Sequence, residues 1–476
     1  MRSIYPSKVG RVRDYRIDLL KTWAIIAVVL FHCGILTRGY LGVDIFFVIS
    51  GYFMMKGYLK ESQGGKYSYI KSTTRKVIRF WPLIIIVCLL SMALGYFTML
   101  PDDYENLAES VVASIAFANN ILSAITAKDY WNISNNYKPL MHLWYIGVLM
   151  QAYIVLPLCF KLLDQVSRKV LKIGTIILFA ISFVLYLVPG FSEASKFYYL
   201  PFRAFELLAG AIVCFLPKLK TGSVLSKLFS AITIIGIVAL TIIDTSIPDK
   251  VYLIGVVLLS ACLLELLAST ECKSYKILKW VSIIGIASFS VYIIHQPVIA
   301  FTRYLFTADI TGWTLLLVLG ITAVLSFGMY QIEKFFIALA KSKKVIRPFI
   351  VSVIIAGVVC TAGLYVYMRA GVMRDIPELD IYTSTAKRGM HAEYVDIPYS
   401  FDKDFTSLDR THILVVGDSM GRDWCNILNE SQYSDNYEIS YIYTLNVSDK
   451  NTNRFEEADY IFTPLLEMHV LLVMKF

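Results

Sequence analysis

Three histidines sit in or beside apolar stretches of this 476-residue chain: His32 in KTWAIIAVVLFHCG, His142 in PLMHLWYIGVLMQAY and His295 in SFSVYIIHQP. An ionisable side chain in hydrocarbon is costly and usually functional, and imidazole is the side chain suited to moving protons near neutral pH. Lys21 opens the run that holds His32, eleven residues earlier. On an α-helix eleven residues turn through roughly 1100°, close to three whole turns, and rise about 16 Å. The two side chains therefore share one face at opposite depths. Asp44, in RGYLGVDIFFVISGYFM, lies a short hairpin from His32, and a carboxylate beside an imidazole orients it and raises its basicity. Arg75 and Arg79 in RKVIRFWP are four apart on one helix face, where two guanidiniums can grip phosphates bidentately. Arg203 and Glu206 in FRAFELLAG stand at i and i+3.

Each residue also has a plainer reading. Lys21 fits a snorkelling anchor, and His32 fits a helix-packing hydrogen bond. Asp44 fits the aqueous boundary, the arginine pair fits a topology signal, and Arg203 with Glu206 fits a pair that neutralises itself. The three histidines, Asp44, Arg203 and Glu206 all fall in the outer half of their runs, whereas Lys21, Arg75 and Arg79 fall at the inner face. A cationic inner layer and a histidine–carboxylate outer layer would suit carrying an activated group outward. No Cys or His spacing suggests a metal, so none is expected.

The elements that must position these residues are membrane helices. The chain is 57% hydrophobic and 17% charged, with a mean hydropathy of +0.61; soluble domains carry about a quarter charged residues. Runs near 20–36, 41–58, 80–100, 142–163, 172–189, 201–217, 228–246, 250–268, 281–303, 313–337 and 347–368 give about eleven spans. The stretch NLAESVVASIAFANNILSAI is too polar for a twelfth and reads as an external or re-entrant helix. With eleven spans the basic segments, among them KSTTRKVIR, KLLDQVSRKVLK and KSKKVIR, share one side. The positive-inside rule then puts the N-terminus in the cytoplasm and the C-terminus outside. The +9 net charge belongs to these loops and does not imply nucleic acid. Seven of the eight cysteines lie in or beside the apolar runs, which excludes a disulfide framework.

Polarity changes after residue 368. Residues 369–411 read as a linker, and THILVVGDSMGRDW reads as a buried strand, a Gly-Asp-Ser turn and a helix. This opens an α/β segment over 412–476. The expected class is thus an all-α polytopic membrane domain, 1–368, followed by an incomplete α/β segment.

In order along the chain, YRIDLLKTWAIIAVVLFH, GYLGVDIFFVISGY, RKVIRFWP, HLWYIGVLMQAY, FRAFELLAG and SFSVYIIHQP resemble the motifs of the membrane acyltransferase family 3, fused to an SGNH-type extracytoplasmic domain. The resemblance implies O-acylation, usually O-acetylation, of an exported polysaccharide or cell-wall glycan, with cytoplasmic acetyl-CoA as donor, in the bacterial cytoplasmic membrane. It implies that His32, oriented by Asp44, is the residue of acyl transfer, as general base or transient acyl carrier. Arg75, Arg79 and Lys21 would then engage the donor's phosphates, with His142, Arg203, Glu206 and His295 supporting the outer site. Ser419 would be the serine of the SGNH turn. The chain departs from the family at three places. Lys21 stands where the family has arginine, keeping charge but losing bidentate geometry. Leu149, Met150 and Gln151 stand where Glu-Glu-Gln is common. After Ser419 no Asp-x-x-His follows, the only later histidine being His469. A serine without a base is a poor nucleophile, so the SGNH-like segment is expected to be incomplete and inactive, and the apolar tail LLEMHVLLVMKF points to an early stop. Two rival readings are a glycan or lipid exporter without chemistry and an inactive remnant of such an acyltransferase.

Overall fold

The structure, a computed structural model, describes residues 14–65, 67–126, 135–218, 223–269, 282–306, 309–341, 346–379, 381–417, 419–443, 452–465 and 470–474. It divides into two units, Met1–Tyr367 and Met368–Phe476.

The first unit is helical. Asp14 caps α1 (Tyr15–His32) by accepting from the Arg16 amide at 3.1 Å, and the helix ends at His32 just before Gly34, whose φ is +79°. There follow α2 (Gly42–Gln63), α3 (Tyr69–Thr98), α4 (Pro101–Ile115) and α5 (Asn119–Thr126). Next come α6 (Trp144–Val166), α7 (Arg168–Leu187), α8 (Glu193–Tyr198) and α9 (Leu200–Val213). The unit closes with α10 (Ser223–Ile242), α11 (Asp249–Ser269), α12 (Ile283–Ile286), α13 (Ser288–Phe306), α14 (Gly312–Lys341) and α15 (Ile346–Met368). The polar stretch after α3 forms two helices, α4 and α5, broken at Phe117 with φ +55°.

Among the described residues seven helices, α3, α6, α7, α10, α11, α14 and α15, are long and apolar enough to cross a membrane, and the chain is a multi-pass membrane protein. Their apolar windows differ in burial: 56% for α3, α6 and α11, but 22% for α7, α10, α14 and α15. The second group therefore forms the lipid-facing rim. Four further helices, α1, α2, α9 and α13, are shorter or more polar than these seven and carry His32, Asp44, Arg203 with Glu206, and His295.

Two glycines set the close crossing of α2 and α9. A Cβ on Gly51 of α2 would fall on the Leu207 carbonyl oxygen of α9, and one on Gly210 of α9 would fall on the Val48 carbonyl oxygen of α2. Backbones can touch there only because neither residue has a side chain.

The second unit is a four-stranded sheet in the order β2-β1-β3-β4, with β1 Thr411–Gly417, β2 Tyr437–Tyr443, β3 Tyr460–Leu465 and β4 Val470–Met474. β1 runs parallel to β2 and β3, while β4 is antiparallel to β3. Alternate β1 residues face opposite ways, as pleating requires. Ile413 and Val415 pack with Cys425, Ile439 and Tyr441, and Leu414 packs with Ile442, Ala458 and Ile461. Residues 369–411, expected as a linker, contain α16 (Met390–Asp396) and a 3-10 turn, Ile397–Phe401. Both meet this core: Tyr399 lies 5.9 Å from the Tyr441 ring, and Asn426, on the helix α17 (Ser419–Glu430) that follows β1, donates to the Tyr394 carbonyl at 3.0 Å. Among the described residues the cysteines are free; Cys272 lies outside them.

Candidate active site

The three histidines of the membrane unit meet. His32 is the last residue of α1, His142 sits in a 3-10 turn (Met141–Leu143) just before α6, and His295 is in the middle of α13. The His295 ring centroid is 5.2 Å from those of both His32 and His142. His142 and His295 are buried, at 1% and 0% exposure. His295 Nδ1 lies 2.6 Å from the Tyr292 carbonyl oxygen, and His142 Nε2 lies 3.3 Å from the Ile293 carbonyl oxygen. A carbonyl can only accept, so each of these ring nitrogens carries the proton. The other nitrogen of the neutral His295 ring, Nε2, is buried and has no hydrogen-bond partner, whereas His142 also faces the Pro139 carbonyl. A buried acceptor left open costs free energy until a donor arrives, and a substrate hydroxyl is such a donor. α13 also holds the end of α1, since Arg303 donates to the His32 carbonyl at 3.2 Å. Among the described residues no group of His, Cys, Asp and Glu is arranged to hold a metal.

Asp44 does not serve this cluster. Its Oδ1 accepts from an Arg203 amino nitrogen at 2.6 Å, Arg203 Nε lies 3.1 Å from Glu206 Oε1, and all three side chains are at most 2% exposed. The expected Asp44–His32 pairing gives way because the close α2–α9 crossing delivers a guanidinium to Asp44 first. A buried guanidinium without a carboxylate would be very costly. The Arg203 guanidinium lies against the rings of Phe47, Trp144 and Phe197, at 5.7, 5.9 and 5.3 Å. A chain of aromatic rings joins this cluster to the histidines: His142 to Tyr292 at 5.3 Å, Tyr292 to Tyr145 at 5.2 Å and Tyr145 to Phe47 at 4.7 Å.

At the other end of α1 the three cations each meet a carboxylate. Lys21 Nζ lies 3.2 Å from Asp18 and 5.2 Å over the Phe53 ring. Arg75 pairs with Glu61 at 3.0 Å, both side chains more than a third exposed. Arg79 donates to Glu333 Oε1 through two nitrogens, at 2.7 and 3.1 Å, and Ser290 donates to Glu333 Oε2 at 3.0 Å. Glu333 is 1% exposed. It ties α3, α14 and α13 together, and α13 is the helix that carries His295. Sequence reading missed it, although a lone acid in the run 313–337 is a signal of the kind that singled out His32. Gln151, which follows Leu149 and Met150, locks α6 to α5 by exchanging hydrogen bonds with Asn120 at 2.9 and 3.3 Å. Ser419 heads α17; its side chain, like Asp418 and His469, lies outside the described residues.

Comparison with known proteins places these clusters in context. Residues 14–331 match the family described as "Acyltransferase domain". The chain is 27% identical over 326 residues to a protein of Komagataeibacter xylinus named as a membrane-bound transacylase, BcsY, covering 67% of this chain and 81% of the other. It is 29% identical over 312 residues to a Staphylococcus aureus protein named as an O-acetyltransferase, covering 60% of this chain and 51% of that one. It is 26% identical over 316 residues to the peptidoglycan O-acetyltransferase OatA of Listeria monocytogenes, covering 60% and 49%. The match thus spans about half the length of the staphylococcal and listerial proteins. No solved structure matches the chain significantly.

Proposed function

Because the chain belongs to the acyltransferase domain family, with residues 14–331 matching it, we propose that it is an integral-membrane O-acetyltransferase. It takes an acetyl group from cytoplasmic acetyl-CoA and passes it to a hydroxyl of an extracytoplasmic glycan. Eleven helices cross the bilayer in this reading, the seven apolar ones together with α1, α2, α9 and α13. The basic loops lie inside, the N-terminus is cytoplasmic and the C-terminus extracytoplasmic, in the cytoplasmic membrane of a bacterium. Lys21, Arg75 and Arg79 then face the donor side, and the histidines face the acceptor side.

The donor's phosphates meet cations that already have partners. The Arg75–Glu61 pair is exposed on both sides, and such pairs are worth only about 0–1 kcal/mol, so Arg75 can turn to a phosphate at little cost. Arg79 is held by the buried Glu333 and offers a fixed edge instead. At the histidine end a bare imidazole nitrogen accepts the proton of the acceptor hydroxyl. The hydroxyl oxygen attacks the acetyl carbonyl, the carbon–sulfur bond of the thioester breaks, and the CoA thiolate leaves and recovers a proton from the imidazolium. His32, the least buried of the three rings, is the one placed to meet the acyl group, either as base or as a transient carrier.

The observation that carries this reading is the convergence of His32, His142 and His295, with the open nitrogen of His295 fixed by the bond of its other nitrogen to the Tyr292 carbonyl. The test is transfer from labelled acetyl-CoA to glycan in proteoliposomes. His32→Ala is expected to abolish transfer while the protein still inserts. Undiminished transfer by that variant would sink the mechanism.

A further inference from the structure

A second feature lies apart from the histidines, at the same end of the membrane unit. It is a cavity of about 640 Å³, within the range of small-molecule sites, roughly 300–1,000 Å³. It is walled by the connection between α1 and α2, the end of α7, α8 and the start of α11. Four aromatic side chains face it: Tyr40, Tyr186, Phe197 and Tyr198. Arg203 borders it too, but its guanidinium is committed to Asp44 and Glu206.

The other charges do not balance. Lys196 and Lys250, both lining the cavity, each lie 3.4 Å from the same oxygen, Glu193 Oε1. Asp249 also lines it, but is paired with Arg38. Two ammoniums therefore share one carboxylate oxygen, at a distance well beyond the roughly 2.7–2.9 Å of a strong charge-assisted bond. Glu193 is itself 74% exposed, whereas the Lys196 side chain is 4% exposed. A lysine so enclosed almost always has a close anion. This one has three N–H donors and a single distant acceptor.

We propose that this cavity holds the acceptor glycan by an anionic group. Lys196 and Lys250 would take the carboxylate or phosphate of an acidic sugar, and the C–H faces of its pyranose rings would pack on the surrounding tyrosines and phenylalanine. The assignment of this ligand as acceptor rests on the O-acetyltransferase reading; the binding chemistry does not. An anionic lipid headgroup offers the same charge, but it has no use for four aromatic walls, and lipid-binding lysine clusters gather beside basic cytoplasmic loops, at the opposite end in the proposed topology.

The experiment uses the full chain in nanodiscs of zwitterionic lipid. It is titrated calorimetrically with trigalacturonate and with the neutral galactotriose. The acidic sugar is expected to bind about tenfold more tightly, with a preference that falls as salt rises. Replacing both lysines, Lys196→Met with Lys250→Met, should erase the preference and leave galactotriose binding in place. Tyr186→Ala should weaken both sugars. Because Lys196 is enclosed, Lys250→Met alone serves as a control for folding and should reduce the preference about threefold. Equal binding of the two sugars by the native chain, or a preference that survives the double substitution, overturns the proposal. So does displacement of trigalacturonate by phosphatidylglycerol added to the nanodiscs. Acetyl transfer measured in parallel separates this from the broader reading. Transfer without acid preference removes only this site, while lysine-dependent acid binding without transfer leaves the site and removes the enzyme.

Discussion

His412 in the second unit and the histidines of the membrane unit use the same side chain in opposite ways. His412 has both ring nitrogens bonded to backbone carbonyls, Nδ1 to Glu457 at 2.9 Å and Nε2 to Ser407 at 2.8 Å. Its ring stacks on Phe405 at 4.3 Å, and Glu438 lies 3.9 Å away. Two accepting carbonyls call for two N–H groups, so this setting favours the imidazolium and leaves no free position. Burial pulls its pKa down, but the two carbonyls and the nearby Glu438 and Asp459 carboxylates outweigh this and hold it above the ordinary histidine value. His295 has one nitrogen on the Tyr292 carbonyl and the other, Nε2, open. A fully bonded histidine holds a fold together, whereas one with a spare nitrogen in a dry site is prepared for a visitor.

The comparison breaks if the spare nitrogen does nothing. His295→Ala is expected to lower acetyl transfer by about 10²–10⁴, the usual weight of acid–base catalysis, with insertion and thermal stability close to those of the native chain. Unchanged turnover per inserted molecule would remove the distinction. Glu333 sharpens it from the other side, because both its oxygens are occupied. Glu333→Ala leaves Arg79, itself 37% exposed, and the buried Ser290 hydroxyl without their acceptor, and should destabilise the membrane unit by about 1–3 kcal/mol, read as a lower melting temperature in detergent. Glu333→Gln should recover part of that loss; a melting temperature unmoved by either substitution would contradict the network. The smallest effect is at His412. A folded pKa raised above the unfolded value of 6.5 contributes stability that is full below pH 6.5 and fades as pH rises through the folded value. His412→Ala should therefore loosen β1 more at pH 5.5 than at pH 9, as read by hydrogen exchange in the full chain. The reverse order would show that the ring is held neutral.

Much of the architecture was legible because each feature has a local cause. Apolar run length marked the seven strongest spans, and a polar, broken stretch marked α4 and α5 as different. The histidines were legible as costly residues in hydrocarbon, and the structure brings all three together. What could not be read was which polar group meets which. Asp44 is near His32 in sequence, but its partner Arg203 is 159 residues away, and no spacing rule reaches across α2 and α9. Glu333 is 254 residues from Arg79 and was hidden by the same distance. Residues 369–411 looked like a linker because their apolar side chains are scattered and show no single period.

The crossing of α2 and α9 has a consequence for mutational screens. Neither Gly51 nor Gly210 is placed near a reacting atom, yet each lies where a single added carbon would strike the opposing backbone. A screen scored on acetylation alone would rank these two positions with His295 and suggest a larger active site than exists. Scored on the amount of inserted protein, the same screen would separate them: the glycines would fail at assembly, and the histidine would fail only at turnover.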